Sequence, residues 1–389
     1  MANDPEKNQV KIDTLLAQGG SRWDTRTGAV SMPIYQTATF GHPALGQSTG
    51  FDYTRTSNPT RAALEDLLAR LEGGARGFAF SSGLAAIDTL MHIFSPGDQV
   101  IVTEDIYGGT YRLFEKVLRP LGINTVAVDT SNVEAVRAAV NPSVKGLFVE
   151  SPTNPMLKVA DLRALAVLAK AQGWTFIVDN TFLTPYFQRP LDLGADVSVY
   201  SGTKYLSGHN DVLSGAIVVK DPALAERVAF LQNAIGAVLA PQDSWLLLRG
   251  LKTLPLRLRR QEENALKIAL WLSQQRWVTK VHYPGLETHD GHARLKAQAS
   301  GFGGMISFEV CKAEMVKVAL ERVKVFIFAE SLGGVESLIT FPPVQTHSDI
   351  APAERERLGI TDRLLRLSIG IEDAGDLIAD LEQAFKGAV

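Results

Sequence analysis

Three short stretches of the sequence carry side chains that could do chemistry. Asp179 ends the apolar run TFIVD (175–179), and Lys204 lies three residues after the apolar run VSVYS (197–201). In FAFSSGLAAI (78–87), an apolar run passes through a Ser-Ser-Gly turn directly into a helical pattern. The free N–H groups at such a junction favour an anion such as a phosphate. Each stretch also has a structural interpretation: an ordinary strand–helix turn, an aspartate that caps a turn, and a lysine that reaches solvent.

Together the three stretches predict one site. Their side chains would meet at the carboxyl edge of a parallel sheet, where open α/β sheets bind their ligands. A partly buried lysine loses part of its charge there and becomes a nucleophilic amine. Pyridoxal 5′-phosphate needs a lysine for the Schiff base, a carboxylate for the pyridine nitrogen and a cup for the phosphate. The combination therefore predicts a pyridoxal-phosphate site.

The elements that position these stretches alternate along the chain. Short apolar, β-branched runs predict strands, and the segments between them have helical periodicity. The predicted strands lie at 77–80, 99–103, 124–129, 146–150, 175–179, 197–201 and 215–220. This alternation predicts an α/β fold with a mostly parallel sheet whose strands are buried on both faces. One of the predicted helices lies at 111–121.

We predict three parts of the chain. Residues 1–57 form an N-terminal arm, because segment 20–60 is rich in Gly, Ser, Thr and Pro and has no sustained helical period. An arm of this length needs a surface to pack on, such as a neighbouring subunit. Residues 58–255 form the α/β domain that binds the cofactor. Residues 256–389 form a smaller α+β domain, with mixed helices and strands such as MISFEV (305–310).

Composition excludes several classes of protein. The 389 residues carry 39 Lys and Arg against 42 Asp and Glu, a formal charge of −3 that does not favour nucleic acid or a membrane surface. No apolar run reaches the length of a transmembrane helix, and the first residues do not resemble a signal peptide. The single Cys311 and the pair His289 and His292 do not predict a metal site. We expect a cytoplasmic protein with no metal.

Eight motifs carry a resemblance to a known family. They are YTRTSNPTR (53–61), SSGLAA (81–86), DIYGGTYRLF (105–114), ESPTNP (150–155), VDNTF (178–182), SGTKYLSGHND (201–211), AESLGGVESL (329–338) and LLRLSIGIED (364–373). From about residue 12 to its end, the sequence resembles the Cys/Met-metabolism family of pyridoxal-phosphate enzymes. The resemblance implies a fold type I enzyme with a seven-stranded sheet in the large domain. It also implies a homo-oligomer, expected to be a tetramer with shared active sites.

The resemblance implies roles for the cofactor site. Lys204 would be the Schiff-base lysine and proton carrier, Asp179 would pair with the pyridinium nitrogen, and Tyr107 would stack on the ring. The phosphate would be held by the N–H groups of Gly83 and Leu84, the hydroxyls of Ser201 and Thr203, and Tyr53 and Arg55 of a neighbouring subunit. Without this resemblance, the preferred interpretation of Tyr107 is an ordinary loop aromatic.

The resemblance also implies a substrate site. Arg366 would clamp the α-carboxylate of an amino acid, a task that suits the planar guanidinium. Asn154, Ser331 and Thr346 would assist it, and Glu330, Arg112 and Asp52 would contact the rest of the substrate. The structural alternatives are a surface ion pair for Arg366 and solvated charges for Glu330, Arg112 and Asp52. His347 would only shape its loop.

The family divides according to which bond breaks. The resemblance associates Glu330 with γ-chemistry, Arg112 with the γ-synthases and γ-lyases, and Asp52 with the synthase. The loop YGGT (107–110) lacks the cysteine that methionine γ-lyases carry. We therefore predict cystathionine γ-synthase, which joins an O-acylhomoserine to cysteine in methionine biosynthesis.

Other activities stay open. Cystathionine γ-lyase and O-acetylhomoserine sulfhydrylase are the nearest alternatives, ahead of methionine γ-lyase and cystathionine β-lyase. An inactive, cofactor-binding regulatory homologue is a different class, which the intact Lys204 and Asp179 disfavour. A nicotinamide dehydrogenase is disfavoured because the chain has no G-x-G-x-x-G.

Overall fold

The computed structural model describes residues 10–21 and 23–387. Its larger sheet has seven strands, in the spatial order β1-β7-β6-β5-β4-β2-β3. These strands are β1 Arg76–Phe80, β2 Gln99–Thr103, β3 Asn124–Val128, β4 Val144–Glu150, β5 Thr175–Asp179, β6 Val197–Ser201 and β7 Gly215–Val219. Only β7 runs antiparallel to its neighbours, so the sheet is mostly parallel, as predicted.

Burial on both faces explains why these segments form strands. Successive residues of each strand pack into two different cores. Phe148 of β4 and Ile177 of β5 pack on one face of the sheet, and Leu147 of β4 and Val178 of β5 pack on the other. Helices cover both faces, which is the arrangement that parallel strands require. The predicted strands at 99–103, 175–179 and 197–201 are confirmed to the residue.

Nine helices accompany the large sheet within the described residues. They are α1 Ile12–Ala17, α2 Pro59–Glu72, α3 Gly83–Met91, α4 Gly108–Leu113, α5 Val133–Ala138, α6 Leu162–Gln172, α7 Thr184–Phe187, α8 Pro222–Ile235 and α9 Pro241–Leu251. Local signals fix their ends: Asn58, Asp161 and Asp221 cap the amino ends of α2, α6 and α8 with their side chains. The segment predicted as a helix at 111–121 is helical, but it is not one continuous α-helix. That segment instead continues α4 through a π-helical turn at 114–118 and a 3₁₀ turn at 119–121.

The C-terminal part contains a second sheet, in the order β10-β11-β12-β9-β8. Its strands are β8 Val278–His282, β9 Met305–Val310, β10 Ile327–Phe328, β11 Leu338–Thr340 and β12 Leu364–Ser368. Its helices are α10 Leu254–Leu272, α11 His292–Gln298, α12 Glu314–Arg322, α13 Pro352–Arg357 and α14 Ala374–Phe385. The sheet has its own core, in which Trp277 stacks on Phe385 with 3.9 Å between ring centroids. The predicted boundary at 255/256 lies in the first turn of α10.

The N-terminal segment has little regular structure after α1. The Thr60 hydroxyl donates to the carbonyl of Pro33 at 2.9 Å, and Asn58 Nδ2 donates to the carbonyl of Tyr35 at 2.9 Å. Leu45 is fully exposed. Residues 1–9 and 22 of the predicted arm lie outside the described residues. The three-part division of the chain stays a prediction.

Two kinds of feature are absent from the described residues. No helix in residues 10–21 and 23–387 combines the length and apolarity needed to cross a bilayer. Over the same ranges, no cluster of three or more His, Cys, Asp or Glu side chains is arranged to hold a metal ion.

Candidate active site

A cavity of about 370 Å³ opens at the carboxyl edge of the large sheet. Its walls include residues that follow β2, β4, β5 and β6, together with residues of the second sheet and its loops. Twelve of the predicted site residues line it: Gly83, Leu84, Tyr107, Asn154, Asp179, Ser201, Thr203, Lys204, Glu330, Ser331, Thr346 and Arg366. The fold thus brings the predicted cofactor and substrate residues to one place.

Lys204 lies in the turn that follows β6, with its amine inside the cavity wall. Nζ donates to Ser331 Oγ at 2.9 Å. Burial, and then the positive charge of Arg366, lowers the pKa of Lys204 to about 8. Ser331 has a φ of 91°, which a serine rarely adopts and which is typical of strained residues at functional sites. The arrangement holds a lysine that is readily deprotonated.

This lowered pKa has a kinetic consequence for cofactor capture by the apoenzyme. Only the neutral amine attacks an aldehyde, so the capture rate should rise about tenfold per pH unit up to about pH 8 and then level off. The rise in visible absorbance after mixing with pyridoxal 5′-phosphate measures this rate. N-α-acetyllysine, measured in parallel, corrects for titration of the aldehyde, because its amine titrates near pH 10.4. A capture rate that follows the free lysine derivative up to pH 10 would contradict the lowered pKa.

Asp179 ends β5 beside a second carboxylate, Glu150, which ends β4 in register with it. Asp179 Oδ1 accepts from the N–H of Thr181 at 3.0 Å and from its hydroxyl at 2.6 Å. Glu150 accepts from the backbone N–H groups of Tyr107 and Asn154. Burial raises the pKa of both carboxyls, and the charge of Asp179 adds to the rise for Glu150. A cationic group placed against Asp179 would relieve this crowding of negative charge, as a protonated pyridine nitrogen would.

The amino end of α3 provides an anion site on the same edge. Ser82 caps this helix, and its Oγ accepts from the N–H of Ala85 at 3.0 Å. Gly83 lies against Ser201: a Cβ at Gly83 would come within 3.0 Å of the Ser201 Cβ. The first N–H groups of the helix therefore face a narrow cradle that suits a phosphate. The Thr203 hydroxyl also lines the cavity, but it already donates to the carbonyl of Ser214 at 3.2 Å.

Two glycines shape the loop that carries Tyr107. A Cβ at Gly109 would lie 2.5 Å from the Tyr107 ring, and a Cβ at Gly108 would lie 2.1 Å from the carbonyl oxygen of Thr346. The tyrosine ring therefore lies directly against Gly109 and forms part of the cavity wall. The YGGT sequence is explained by these close approaches, which no other residue permits.

Arg366 lies in the middle of β12 and is 1% exposed. One guanidinium nitrogen donates to Asn154 Oδ1 at 2.8 Å, and the other donates to the carbonyl of Ser331 at 3.0 Å and to Thr340 Oγ1 at 3.2 Å. Its Nε is buried without a partner among the described residues. Burial lowers the pKa of Arg366 to about 10, so it remains a cation at neutral pH. A buried, incompletely bonded guanidinium in a cavity wall is suited to a carboxylate.

Four predicted site residues do not line this cavity. Tyr53 is 45% exposed, and the Arg55 guanidinium lies 5.4 Å from its ring centroid. Asp52 accepts from Ser48 Oγ at 2.5 Å, and Arg112 pairs with Asp349 at 2.5 Å. Their predicted roles in binding stay predictions.

Sequence reasoning missed several residues of the cavity wall, namely Ser82, Ile87, Thr110, Glu150, Pro152, Thr181, Phe182, Leu213 and Leu332. Glu150 carried a usable signal, because it ends a predicted apolar strand as Asp179 does. Leu213 and Leu332 carried none, because an isolated leucine in a loop has no pattern that places it in a site.

The carboxylate, lysine and helix terminus together fit a pyridoxal-phosphate enzyme of fold type I. The whole-chain comparisons agree: residues 13–386 match the model of the Cys/Met metabolism PLP-dependent enzymes. The chain therefore belongs to this family, whose cofactor is pyridoxal 5′-phosphate, and its fold and enzymatic class are those predicted.

Named relatives cover almost the whole chain. The cystathionine γ-lyase of Bacillus subtilis (strain 168) is 52% identical over 97% of this chain and 100% of its own length. The cystathionine γ-synthase of Haemophilus influenzae is 52% identical over 97% of this chain and 98% of its own length. The cystathionine β-lyase of Lactococcus lactis subsp. cremoris (strain MG1363) is 50% identical over 97% of this chain and 99% of its own. The chain is thus similar to enzymes of trans-sulfuration with three named activities.

A solved structure has the same fold throughout. The cystathionine γ-lyase of Lactobacillus plantarum, complexed with L-serine, superposes with a TM-score of 0.95 at 48% identity, over 97% of this chain and 99% of that one. The two chains therefore share their whole architecture, including both sheets.

Proposed function

We propose that this enzyme catalyses a γ-replacement, the cystathionine γ-synthase reaction. In that reaction an O-acylhomoserine loses its acyl group as a carboxylic acid, and the sulfur of cysteine bonds to Cγ to give cystathionine. The observation that carries the proposal is the position of Glu330. This exposed carboxylate lines the cavity beside Ser331 and has no hydrogen bond or ion pair with any described residue. It is therefore available to a ligand, such as the amino group of an incoming cysteine.

The residues of the cavity divide the work. Arg366 and Asn154 would hold the α-carboxylate of the homoserine substrate. Lys204, held by Ser331, would remove the Cα proton with its neutral amine and return it at the end. Asp179 would keep the cofactor ring protonated. Pyridoxal 5′-phosphate, when bound, supplies the electron sink that stabilises charge on Cα.

Cystathionine γ-lyase is a second candidate function. The Bacillus subtilis relative of that name is 52% identical to the chain, the same identity as that of the Haemophilus influenzae γ-synthase. Both reactions need the same lysine and the same α-carboxylate site, and both break or form the bond between sulfur and Cγ. They differ in whether a thiol is added or released.

Replacement of Glu330 should slow the reaction with cysteine but not the reaction with sulfide. Glu330→Gln keeps the shape of the side chain but removes its charge, so it should weaken the use of cysteine by about fivefold or more. Sulfide has no amino group, so its rate should stay nearly unchanged. Both rates are measured on one O-acylhomoserine at subsaturating thiol.

Glu336→Gln is the matched control for this experiment, because Glu336 lies on the same segment but bonds to Asn210 Nδ2 at 2.7 Å instead. It should leave both rates unchanged. Equal losses with cysteine and sulfide in Glu330→Gln would show that Glu330 holds the loop or the homoserine moiety instead.

We also propose that the enzyme is a cytoplasmic homo-oligomer, a tetramer built from dimers with shared sites. Tyr53 and Arg55 support this proposal, because they lie outside their own cavity on a segment with little core of its own. In a neighbouring subunit, Arg55 would meet a phosphate as a bidentate partner.

Mixing two inactive variants should restore activity if sites are shared. In a hybrid of Arg55→Ala and Lys204→Ala chains, one site has both residues intact and the other has neither. Random exchange should therefore give up to about a quarter of the wild-type activity. Absence of rescue, after native mass spectrometry has confirmed the hybrids, would contradict the shared site.

A further inference from the structure

His347 is buried between two residues of the substrate site. It is fully buried in the loop after β11, and its ring lies between Thr346 and the loop that follows β4. Nε2 lies 2.9 Å from the carbonyl oxygen of Asn154, and Nδ1 lies 2.8 Å from Thr346 Oγ1. Both partners line the cavity, but His347 does not.

The partners determine which nitrogen carries the proton. The carbonyl of Asn154 can only accept, so Nε2 is the donor. Burial, and then the charge of Arg366, lowers the pKa of His347 to about 3, so the ring is neutral and Nδ1 has no proton. Nδ1 therefore accepts the hydroxyl proton of Thr346. The oxygen of Thr346 keeps only lone pairs for a ligand, which makes it an acceptor in the cavity and not a donor to a carboxylate.

The same ring completes the bonding of Asn154. The backbone N–H of Asn154 donates to Glu150 at 2.9 Å, its carbonyl accepts from His347, and its Oδ1 accepts from Arg366 at 2.8 Å. A guanidinium only donates, so the side-chain oxygen must face Arg366. Nδ2 is then the atom of Asn154 without a hydrogen bond to any described residue, and it is the donor left for a ligand.

The loop that carries His347 has little freedom to move. The backbone N–H of His347 donates to the carbonyl of Pro342 at 3.0 Å. The carbonyl of Thr346 lies so close to Gly108 that a Cβ there would clash at 2.1 Å. The imidazole is therefore a fixed bridge between the second sheet's loop and the carboxyl edge of the large sheet.

We propose that His347 is a positioning residue for recognition of the substrate α-carboxylate. It holds the backbone of Asn154 in place, so that the side-chain amide, whose oxygen faces Arg366, presents Nδ2 as a donor beside the guanidinium. It also sets the Thr346 hydroxyl as an acceptor. This inference rests on the proposed function, in which Arg366 binds the carboxylate.

Three substitutions separate the two bonds of the ring. His347→Phe removes both. His347→Asn keeps an acceptor near the Nδ1 position but loses the donor to Asn154, and His347→Gln keeps a donor near the Nε2 position but loses the acceptor. The measurement uses the holoenzyme and two amine probes, L-2-aminobutyrate and propylamine, which is the same amine with hydrogen in place of the carboxylate. Titration of the visible absorbance gives each dissociation constant.

We expect the wild type to prefer L-2-aminobutyrate. The Phe and Asn variants should reduce this preference by about tenfold or more, because Asn154 loses its anchor, while propylamine binding changes little. The Gln variant should keep most of the preference. His282→Phe is the control, because His282 is a buried histidine bonded to Glu309 at 3.0 Å in the second sheet, away from the cavity. It should leave the preference unchanged, and melting temperatures monitor folding in all variants.

Each contrary result would overturn a different part of the proposal. A full preference in the Phe and Asn variants would overturn the positioning role of His347. Equal losses in the Gln and Asn variants would overturn the assignment of Nε2 as the essential donor. A wild-type enzyme without any preference for the amino acid would instead refute the carboxylate site at Arg366, and with it that part of the proposed function.

Discussion

Replacement of Lys204 by alanine should lower turnover by about 10⁴-fold or more. The amine is the nucleophile and the proton carrier of the proposed reaction, and no other described lysine lines the cavity. Borohydride treatment of the wild-type holoenzyme should bleach its yellow colour and leave the cofactor attached to the peptide that contains Lys204. In the variant, borohydride should attach no cofactor to the chain. Peptide mass spectrometry and steady-state assays measure both effects.

Lys220→Ala provides a matched control for this experiment. Lys220 follows β7, whose antiparallel direction places it at the opposite edge of the sheet, where Nζ donates to the carbonyl of Leu191 at 3.0 Å. This variant should keep its colour, its labelled peptide and its activity. Cofactor attached at a lysine other than Lys204 would contradict the assignment.

Replacement of Asp179 by asparagine should lower turnover by about 10³-fold while the cofactor still binds. A facing carboxylate raises the pKa of a pyridinium by up to about three units, and each unit corresponds to about 1.4 kcal/mol. Loss of that charge leaves the ring nitrogen unprotonated and weakens the electron sink. The measurement is turnover together with the exchange rate of the Cα proton into deuterated water, which should fall in parallel.

Asp196→Asn controls for the loss of a half-buried carboxylate. Asp196 accepts from the N–H of Phe176 at 2.8 Å, at the amino edge of the same strands. It should affect stability but not Cα exchange. A near-normal exchange rate in Asp179→Asn would show that Asp179 does not face the pyridine nitrogen.

The sequence predicts best those elements that burial determines. β2, β5 and β6 were predicted to the residue, because each is a short apolar run between turn signals and is covered on both faces. The antiparallel direction of β7 could not be predicted, because a buried strand has the same run of apolar residues in either direction. The π-helical turn after α4 has no local signal either. Its helix-forming residues favour a continuous α-helix.

The residues of the candidate site likewise divide into those that the sequence predicts and those that it does not. Asp179 and Lys204 could be predicted because they follow apolar strands, and the rule on carboxyl edges places them together. Arg366 lies inside an apolar strand of the second sheet, and only the family resemblance indicated it. No binding role could be predicted for His347 from the sequence. One of its hydrogen bonds reaches Asn154, which is 193 positions away in the chain, and the other reaches its neighbour Thr346. Contacts that depend on how two sheets pack produce no periodic pattern in the sequence.

A product assay on the purified holoenzyme distinguishes a synthase from a lyase directly. O-Acetylhomoserine and O-succinylhomoserine are each supplied with cysteine or with sulfide, and cystathionine is supplied alone in a parallel reaction. We predict that cystathionine is the main product with cysteine and at least one O-acylhomoserine, and that it forms faster than 2-oxobutanoate is released from cystathionine. Release of 2-oxobutanoate or pyruvate from cystathionine, with no cystathionine formed from either ester, would contradict the synthase assignment and identify a lyase.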